Sequence, residues 1–369
     1  MIGRIFVSAG EPSGDLHGAP VVRALQARFP GVTIEAFGGP AMAAAGALVR
    51  WPMERYTVMG FAEVLAKIPA HARLLRELSR RFQAGEYDLV VLIDYPGFHL
   101  RVAEAAAAAG LKVLYYVAPQ LWAWRPQRAR RFRQAVNQFA VIFPFEQPFF
   151  RSLGLTADYV GHPLVDRPPG LGRAEARALL GLPAAGRVLG LFPGSRRQEL
   201  LRHWTAFRDA GRLLLEEGAV ERVVVATVPG GEYPDPGPVQ LASTDPRNVL
   251  AAADAVIAKS GTTTLEAALA DAPMVVAYRV HPATAWFARR VMRVPWIALP
   301  NLIAERRVVD ELVQAAVEPR RLADAVRPLL DRTHETTRRQ LEGLAHVRAL
   351  LGGPGAAARV ADLAAALVE

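Results

Sequence analysis

Apolar positions along the chain follow two rhythms. Short runs dense in β-branched and aromatic residues alternate with stretches in which apolar residues recur every three or four positions. In the first half the runs predict strands at Arg4–Ser8, Thr33–Phe37, Asp88–Asp94, Lys112–Val117 and Phe139–Phe143. Val22, Leu25 and Phe29 fall at helical spacing between the first two, and Pro20 must sit in a first turn or kink that helix. In the second half the runs predict strands at Arg187–Phe192, Arg222–Thr227, Ala255–Ala258 and Pro273–Ala277. The alternation predicts an α/β protein with parallel sheets.

Prolines 163, 168 and 169 with Gly170 and Gly172 mark a hinge. Gly352-Gly353-Pro354-Gly355 breaks the chain before a last helix, whose stripe of Val360, Leu363 and Leu367 must dock on something. The expected organisation is therefore residues 1–165, residues 166–350, and a terminal helix over 351–369 that returns to a first domain, its own or a partner's. Two doubly wound domains facing each other across a cleft put the chemistry in the loops after the strands.

Composition narrows the classes. With 369 residues, 51% of them hydrophobic, the chain has enough for two packed domains. It has no cysteine, which removes a disulfide framework, a thiol nucleophile and thiolate metal sites. Met1-Ile2-Gly3-Arg4-Ile5-Phe6-Val7 enters a strand directly, so no signal peptide is expected. The net charge of +9, carried almost wholly by arginine, reads as a compositional habit or as attraction to an anionic partner.

Four loops carry unusual residues. Ser8-Ala9-Gly10-Glu11-Pro12-Ser13-Gly14-Asp15 turns from strand to helix, and its two acids suit sugar hydroxyls better than phosphate. Asp94 ends the apolar run Val91-Leu92-Ile93, placed either as a general base or as a carboxylate satisfied by backbone N–H groups. Pro193-Gly194-Ser195-Arg196 offers a close backbone approach and a guanidinium fork for phosphate oxygens, or is a plain turn. In Lys259-Ser260-Gly261-Thr262-Thr263-Thr264-Leu265-Glu266 a strand ends and a helix begins with three hydroxyl residues. Its N-terminus suits a diphosphate, and Glu266, one turn on from Thr262, suits ribose hydroxyls.

Taken together the loops resemble one family, the lipid-A-disaccharide synthases. The likeness runs through Gly10–Asp15, Val58-Met59-Gly60 with Glu63-Val64-Leu65, Ile93-Asp94, Tyr116–Pro119, Trp122–Arg125, Phe143–Glu146, Gly161-His162-Pro163, Pro193–Arg196, Ser260–Thr262 with Leu265-Glu266, and Leu299–Leu302. The resemblance implies the GT-B architecture, two Rossmann-like domains. It implies transfer, with inversion, of 2,3-diacylglucosamine from UDP-2,3-diacylglucosamine to 2,3-diacylglucosamine 1-phosphate, giving a β-1,6 disaccharide 1-phosphate and UDP. Asp94 would be the base, with Ser13 and Glu11 beside the acceptor. Gly194, Ser195, Arg196, Ser260, Gly261, Thr262, Glu266 and Asn301 would line the nucleotide side. No metal or other cofactor is expected, since Arg196 and the helix N-terminus would steady the leaving diphosphate. Residues 229–238, rich in Pro and Gly, depart from the family's longer helix there.

Acylated substrates imply contact with the cytoplasmic face of the inner membrane. The apolar segment Val58, Met59, Phe61, Val64, Leu65, Ile68, Leu74 and Leu75, flanked by arginines, reads as an interfacial element or as a core helix with a basic outer face. Trp124 and Arg125, at the start of an arginine run to Arg133, would add to the acceptor side. The resemblance also allows a homodimer with a swapped C-terminal element. Two other readings compete: another GT-B enzyme of UDP-N-acetylglucosamine (a lipid-linked acceptor transferase or a 2-epimerase), and a nucleic-acid binder, against which speaks that the arginines form no recognisable helix-turn-helix, RRM or zinc module.

Overall fold

The computed structural model describes residues 2–56, 61–124, 126–292 and 294–369; side chains at 61–66, 287–289 and 291 lie outside that description. The chain divides into two compact units, Met1–Asp166 with Gly353–Glu369, and Arg167–Gly352.

The first unit is built on β1 (Arg4–Ala9), β2 (Thr33–Gly38), β3 (Leu48–Pro52), β4 (Leu89–Ile93), β5 (Lys112–Tyr116), β6 (Gln138–Val141) and β7 (Ala157–Tyr159). These form one sheet in the order β3-β2-β1-β4-β5-β6-β7, parallel at every pairing. The second unit uses β8 (Val188–Phe192), β9 (Arg222–Ala226), β10 (Gln240–Ala242), β11 (Ala255–Lys259), β12 (Met274–Tyr278) and β13 (Asp310–Val313), parallel in the order β10-β9-β8-β11-β12-β13. Every strand expected from the apolar runs is present. The four that were not expected, β3, β7, β10 and β13, are the four sheet edges. Central strands are buried along their length and read as continuous apolar runs, whereas Ala-Asp-Tyr and Asp-Glu-Leu-Val are mostly half-buried and carry no such signal.

Pro20 falls in neither a first turn nor a break. The helix Pro12–Arg28 runs through it, and the missing N–H deprives only the carbonyl of Leu16, itself on the exposed side. The terminal helix Ala356–Val368 docks through Val360, Ala361, Ala364 and Ala365, all buried, against Pro12–Arg28 and β5 of the same chain. Asp166 Oδ1 accepts from Gly355 N at 2.6 Å, so the points where the chain leaves and re-enters the first unit are tied to each other. By length and composition alone, Glu335–Val368 could span a membrane at mean hydropathy 1.2. It is instead two helices separated at Gly352–Gly355, and Leu344, Val347 and Leu351 are packed in one unit, Val360 in the other.

Two expectations are corrected by burial. The helix Phe61–Gln83 buries Leu74, Leu78 and Phe82 in the core of the first unit. Leu74 is 1% exposed, so it is packed inside the unit and does not face lipid, whereas Ile68 is 51% exposed and Leu75 half-buried. Met59 and Arg125 lie outside the described residues, as do the side chains of Phe61, Val64 and Leu65. Trp122 is core, donating from Nε1 to the buried Glu146 at 2.9 Å; Trp124 is 42% exposed.

Asn301 is fully buried and its amide is spent on its own unit. Nδ2 donates to the Val309 carbonyl and to Glu311 Oε1, both at 2.9 Å, and Oδ1 accepts from Val308 N and Val309 N at 2.7 and 2.8 Å. Glu311 in turn accepts from Ile297 N and Ala298 N. The residue expected on the nucleotide side is a clasp that seats β13 against the turn before the helix Leu299–Ala304.

Leu74→Ala is expected to lower stability to urea by about 2–5 kcal/mol, through lost transfer energy plus a cavity, whereas Ile68→Ser stays within about 0.5 kcal/mol. Equal, small shifts in both midpoints would return Leu74 to the surface. Asn301→Ala removes the acceptor of the Val308 and Val309 N–H groups and the donor to the Val309 carbonyl, takes one of three donors from Glu311, and is expected to cost roughly 3 kcal/mol. A stable variant with weakened UDP binding would instead restore it to the nucleotide site.

Candidate active site

In each sheet the strand order reverses once, between β1 and β4 and between β8 and β11. At such a switch point the two following loops diverge to opposite faces and leave open backbone at the carboxyl ends of the strands. The loops singled out in the sequence sit at these two points.

In the first unit, Ala9 and Ile93 are paired across β1 and β4, so Glu11 and Asp94 emerge side by side. All of Leu89–Ile93 is buried, and Asp94 is the first polar side chain beyond it, half-buried. Burial pushes its carboxyl above the usual carboxylate range, and the neighbouring Glu11 charge adds to the rise; a hydrogen bond from the Tyr95 N–H opposes it. Asp94 and Tyr95 both hold φ near +52°. Two successive left-handed residues other than glycine cost about 1–2 kcal/mol each, so the surrounding structure must hold them. The Tyr95 ring lies over Gly10, where an added methyl would come within 2.3 Å of it; only glycine fits. The Tyr95 hydroxyl meets His71 Nε2 at 3.0 Å.

Ser13 stands exposed in the first helical turn, and Glu11 is the N-cap without a side-chain cap bond. Asp15 does not share the opening with Glu11. It is buried and accepts from Gly39 N, Ala41 N and Met42 N at 2.8, 2.9 and 3.1 Å, capping the short helix Pro40–Ala44. Of the two acids expected near sugar hydroxyls, Glu11 alone is placed for it.

In the second unit, Ala258 pairs with Phe192, which brings the loop of Gly194–Arg196 beside that of Ser260–Glu266. Ser260 Oγ donates to the Ile297 carbonyl at 2.6 Å and Thr264 Oγ1 to the Gly261 carbonyl at 2.8 Å, fixing the turn and the first helical turn of Thr262–Leu269. Thr262 is exposed at that N-terminus, where the dipole and the first N–H groups favour an anion. Leu265 and Ala268 face the core, as their spacing predicts. Glu266 is mostly buried, held above its ordinary pKa by that burial, and receives Arg167 Nη1 at 2.8 Å.

At Gly194 the side where a side chain would stand is filled by Glu199. The glycine's φ of +131° brings it against the Glu199 side chain, 2.5 Å from an added methyl. Glu199 Oε2 accepts from Ser195 N and Arg196 N at 3.0 and 3.3 Å, while Oε1 meets Lys259 Nζ at 2.9 Å. The amides of this loop are therefore occupied by the protein's own carboxylate, and it is the exposed Arg196 side chain that stays available for an anion. Glu199 and Lys259 were missed in the sequence. Glu199, three residues after the N-cap, has the spacing of a capping box and could have been found by it. Among the described residues no group of three or more His, Asp and Glu side chains is arranged to hold a metal ion.

Residues 5–353 match the family model described as lipid-A-disaccharide synthetase. The lipid-A-disaccharide synthase of Trichlorobacter lovleyi is 38% identical, over 99% of this chain and 98% of its own length. That of Pseudomonas aeruginosa strain LESB58 is 41% identical over 89% of each. Among solved structures, MurG of Acinetobacter baumannii superposes with a TM-score of 0.57 at 16% identity, covering 99% of this chain and 100% of that one. A Listeria monocytogenes protein described as a putative UDP-N-acetylglucosamine 2-epimerase gives 0.65 at 14%, covering 98% and 95%. At such identity the structures show the fold alone, GT-B; the sequence matches show more, and the chain belongs to the lipid-A-disaccharide synthase family of glycosyltransferases.

Proposed function

We propose that the protein transfers 2,3-diacylglucosamine from UDP-2,3-diacylglucosamine to 2,3-diacylglucosamine 1-phosphate with inversion, forming the β-1,6-linked disaccharide 1-phosphate and UDP. The observation that carries this reading is Asp94, a strained, half-buried carboxyl at a switch point, beside the acid Glu11. Asp94 takes the proton of the acceptor's 6-hydroxyl as its oxygen attacks the anomeric carbon; the bond from that carbon to the diphosphate breaks, and UDP leaves with the electron pair. One displacement inverts the centre and requires one base. Glu11 and Ser13 orient acceptor hydroxyls. On the second unit Arg196 and the N-terminus of Thr262–Leu269 stabilise the charge that develops on the diphosphate, a task that needs no metal. Glu266 accepts from the ribose hydroxyls once a nucleotide competes with Arg167.

Both sugars carry acyl chains, so the protein works at the cytoplasmic surface of the inner membrane. Ile68 and Trp124 are the described apolar side chains, among those expected there, that remain exposed. Leu74 is withdrawn from that role.

Mass spectrometry of products from the two diacylglucosamine substrates is expected to show the disaccharide 1-phosphate, and turnover of UDP-N-acetylglucosamine without any lipid acceptor would replace this reading with an epimerase. Asp94→Ala is expected to keep donor affinity and lose about 10²-fold or more in kcat. A base works only when ionised, so kcat rises with pH through the Asp94 pKa, and its raised value puts that limb above the usual carboxylate range. Glu11→Gln removes the repelling charge and is expected to move the limb to lower pH. A limb that stays in place would separate Glu11 from Asp94.

A further inference from the structure

Asp94 is held from inside the first unit by side chains remote from solvent. Ser8, His99 and Tyr115 are all 0% exposed. His99 Nδ1 lies 2.6 Å from the main-chain oxygen of Asp94, and the Tyr115 hydroxyl lies 2.6 Å from the same oxygen. A carbonyl oxygen only accepts, so His99 carries its proton on Nδ1 and Tyr115 donates. Burial holds the imidazole neutral, pushing it down to about 3. Nε2 is therefore bare, and the Ser8 hydroxyl, 2.7 Å away, donates to it. The series of serine, histidine and aspartate is not a hydrolase triad, because the histidine meets the aspartate's main chain and the serine is sealed from any substrate.

The arrangement fixes a direction. The peptide plane before Asp94 is held by its own N–H donating to the Tyr116 carbonyl at 3.0 Å. The plane after it is held by the two donors on the Asp94 carbonyl oxygen. With both planes fixed at a φ of +52°, the Cα–Cβ bond can point one way only. Loss of either donor lets the second plane rotate, and the left-handed turn can relax toward ordinary backbone, carrying the carboxyl with it. We propose that His99 and Tyr115, with Ser8 behind His99, are positioning residues that aim the Asp94 carboxyl by clamping its main-chain oxygen. The proposal rests on Asp94 being the base.

The experiment is steady-state kinetics with a double-mutant cycle on the full chain. Tyr115→Phe removes one hydroxyl and keeps the ring; it is expected to lower kcat about fivefold or more with KM for both substrates within about twofold. His99→Leu is expected to lower kcat about tenfold or more, and His99→Asn, which keeps a donor near the Nδ1 place, to recover most of that loss. In an Asp94→Ala background Tyr115→Phe is expected to change the residual rate by less than about twofold, since there is no carboxyl left to aim. The same fold-loss in that background would overturn the proposal. So would a loss confined to KM, or failure of His99→Asn to improve on His99→Leu. Near-normal turnover of Asp94→Ala alone would instead sink the base assignment, a distinct result.

Discussion

A parallel strand buried on both faces can present a polar side chain only beyond its last residue. Every central strand of both sheets is of this kind, with β4, β8 and most of β1, β9, β11 and β12 fully buried. The chemistry is thereby driven to the carboxyl ends, and the reversal of strand order decides which two ends leave space. Glu11 and Asp94 stand at one reversal, Arg196 and the Ser260–Glu266 turn at the other. The rest of the architecture supplies the rigidity those loops need.

Several acids near the strand ends are structural, and what they accept tells them apart from the acid proposed as the base. Asp15 takes three backbone N–H groups, Glu199 takes two and a lysine, Glu311 takes two and the amide of Asn301. Glu146 takes Ile142 N, Phe143 N and the Trp122 indole; burial raises it to about 7 against those three donors. Each is a loop clasp. Asp94 receives a single backbone N–H, from Tyr95, and burial raises its pKa, which suits the base role proposed for it. Asp94, the proposed base, is an acid that the fold leaves under-committed.

The clasps also explain where charge and apolarity misled. The helix Phe61–Gln83 carries arginines and leucines in a pattern that suits a membrane surface as well as a core, because both need one apolar stripe. The half that buries Leu74, Leu78 and Phe82 serves the core. Asn301 sits in a motif that resembles a nucleotide-side loop, yet its four hydrogen-bonding positions are consumed locally. No spacing rule separates a ligand-facing amide from a clasp.

The sequence alone determined the fold class, the central strands and the loops that carry the site, since these follow from local periodicity and from residue types at strand ends. Val91-Leu92-Ile93-Asp94 announces a buried strand ending in a carboxylate without reference to anything distant. Tertiary structure decided what depends on partners far along the chain. It made edge strands of residues with little apolar signal, turned Asp15 and Glu199 into caps, and packed Leu74 inward. It also brought His99, backed by Ser8, and Tyr115 from three separate segments together, with His99 and Tyr115 on one oxygen of Asp94. Those roles are set by which groups meet across the sheet, and register between distant strands is not written in any one of them.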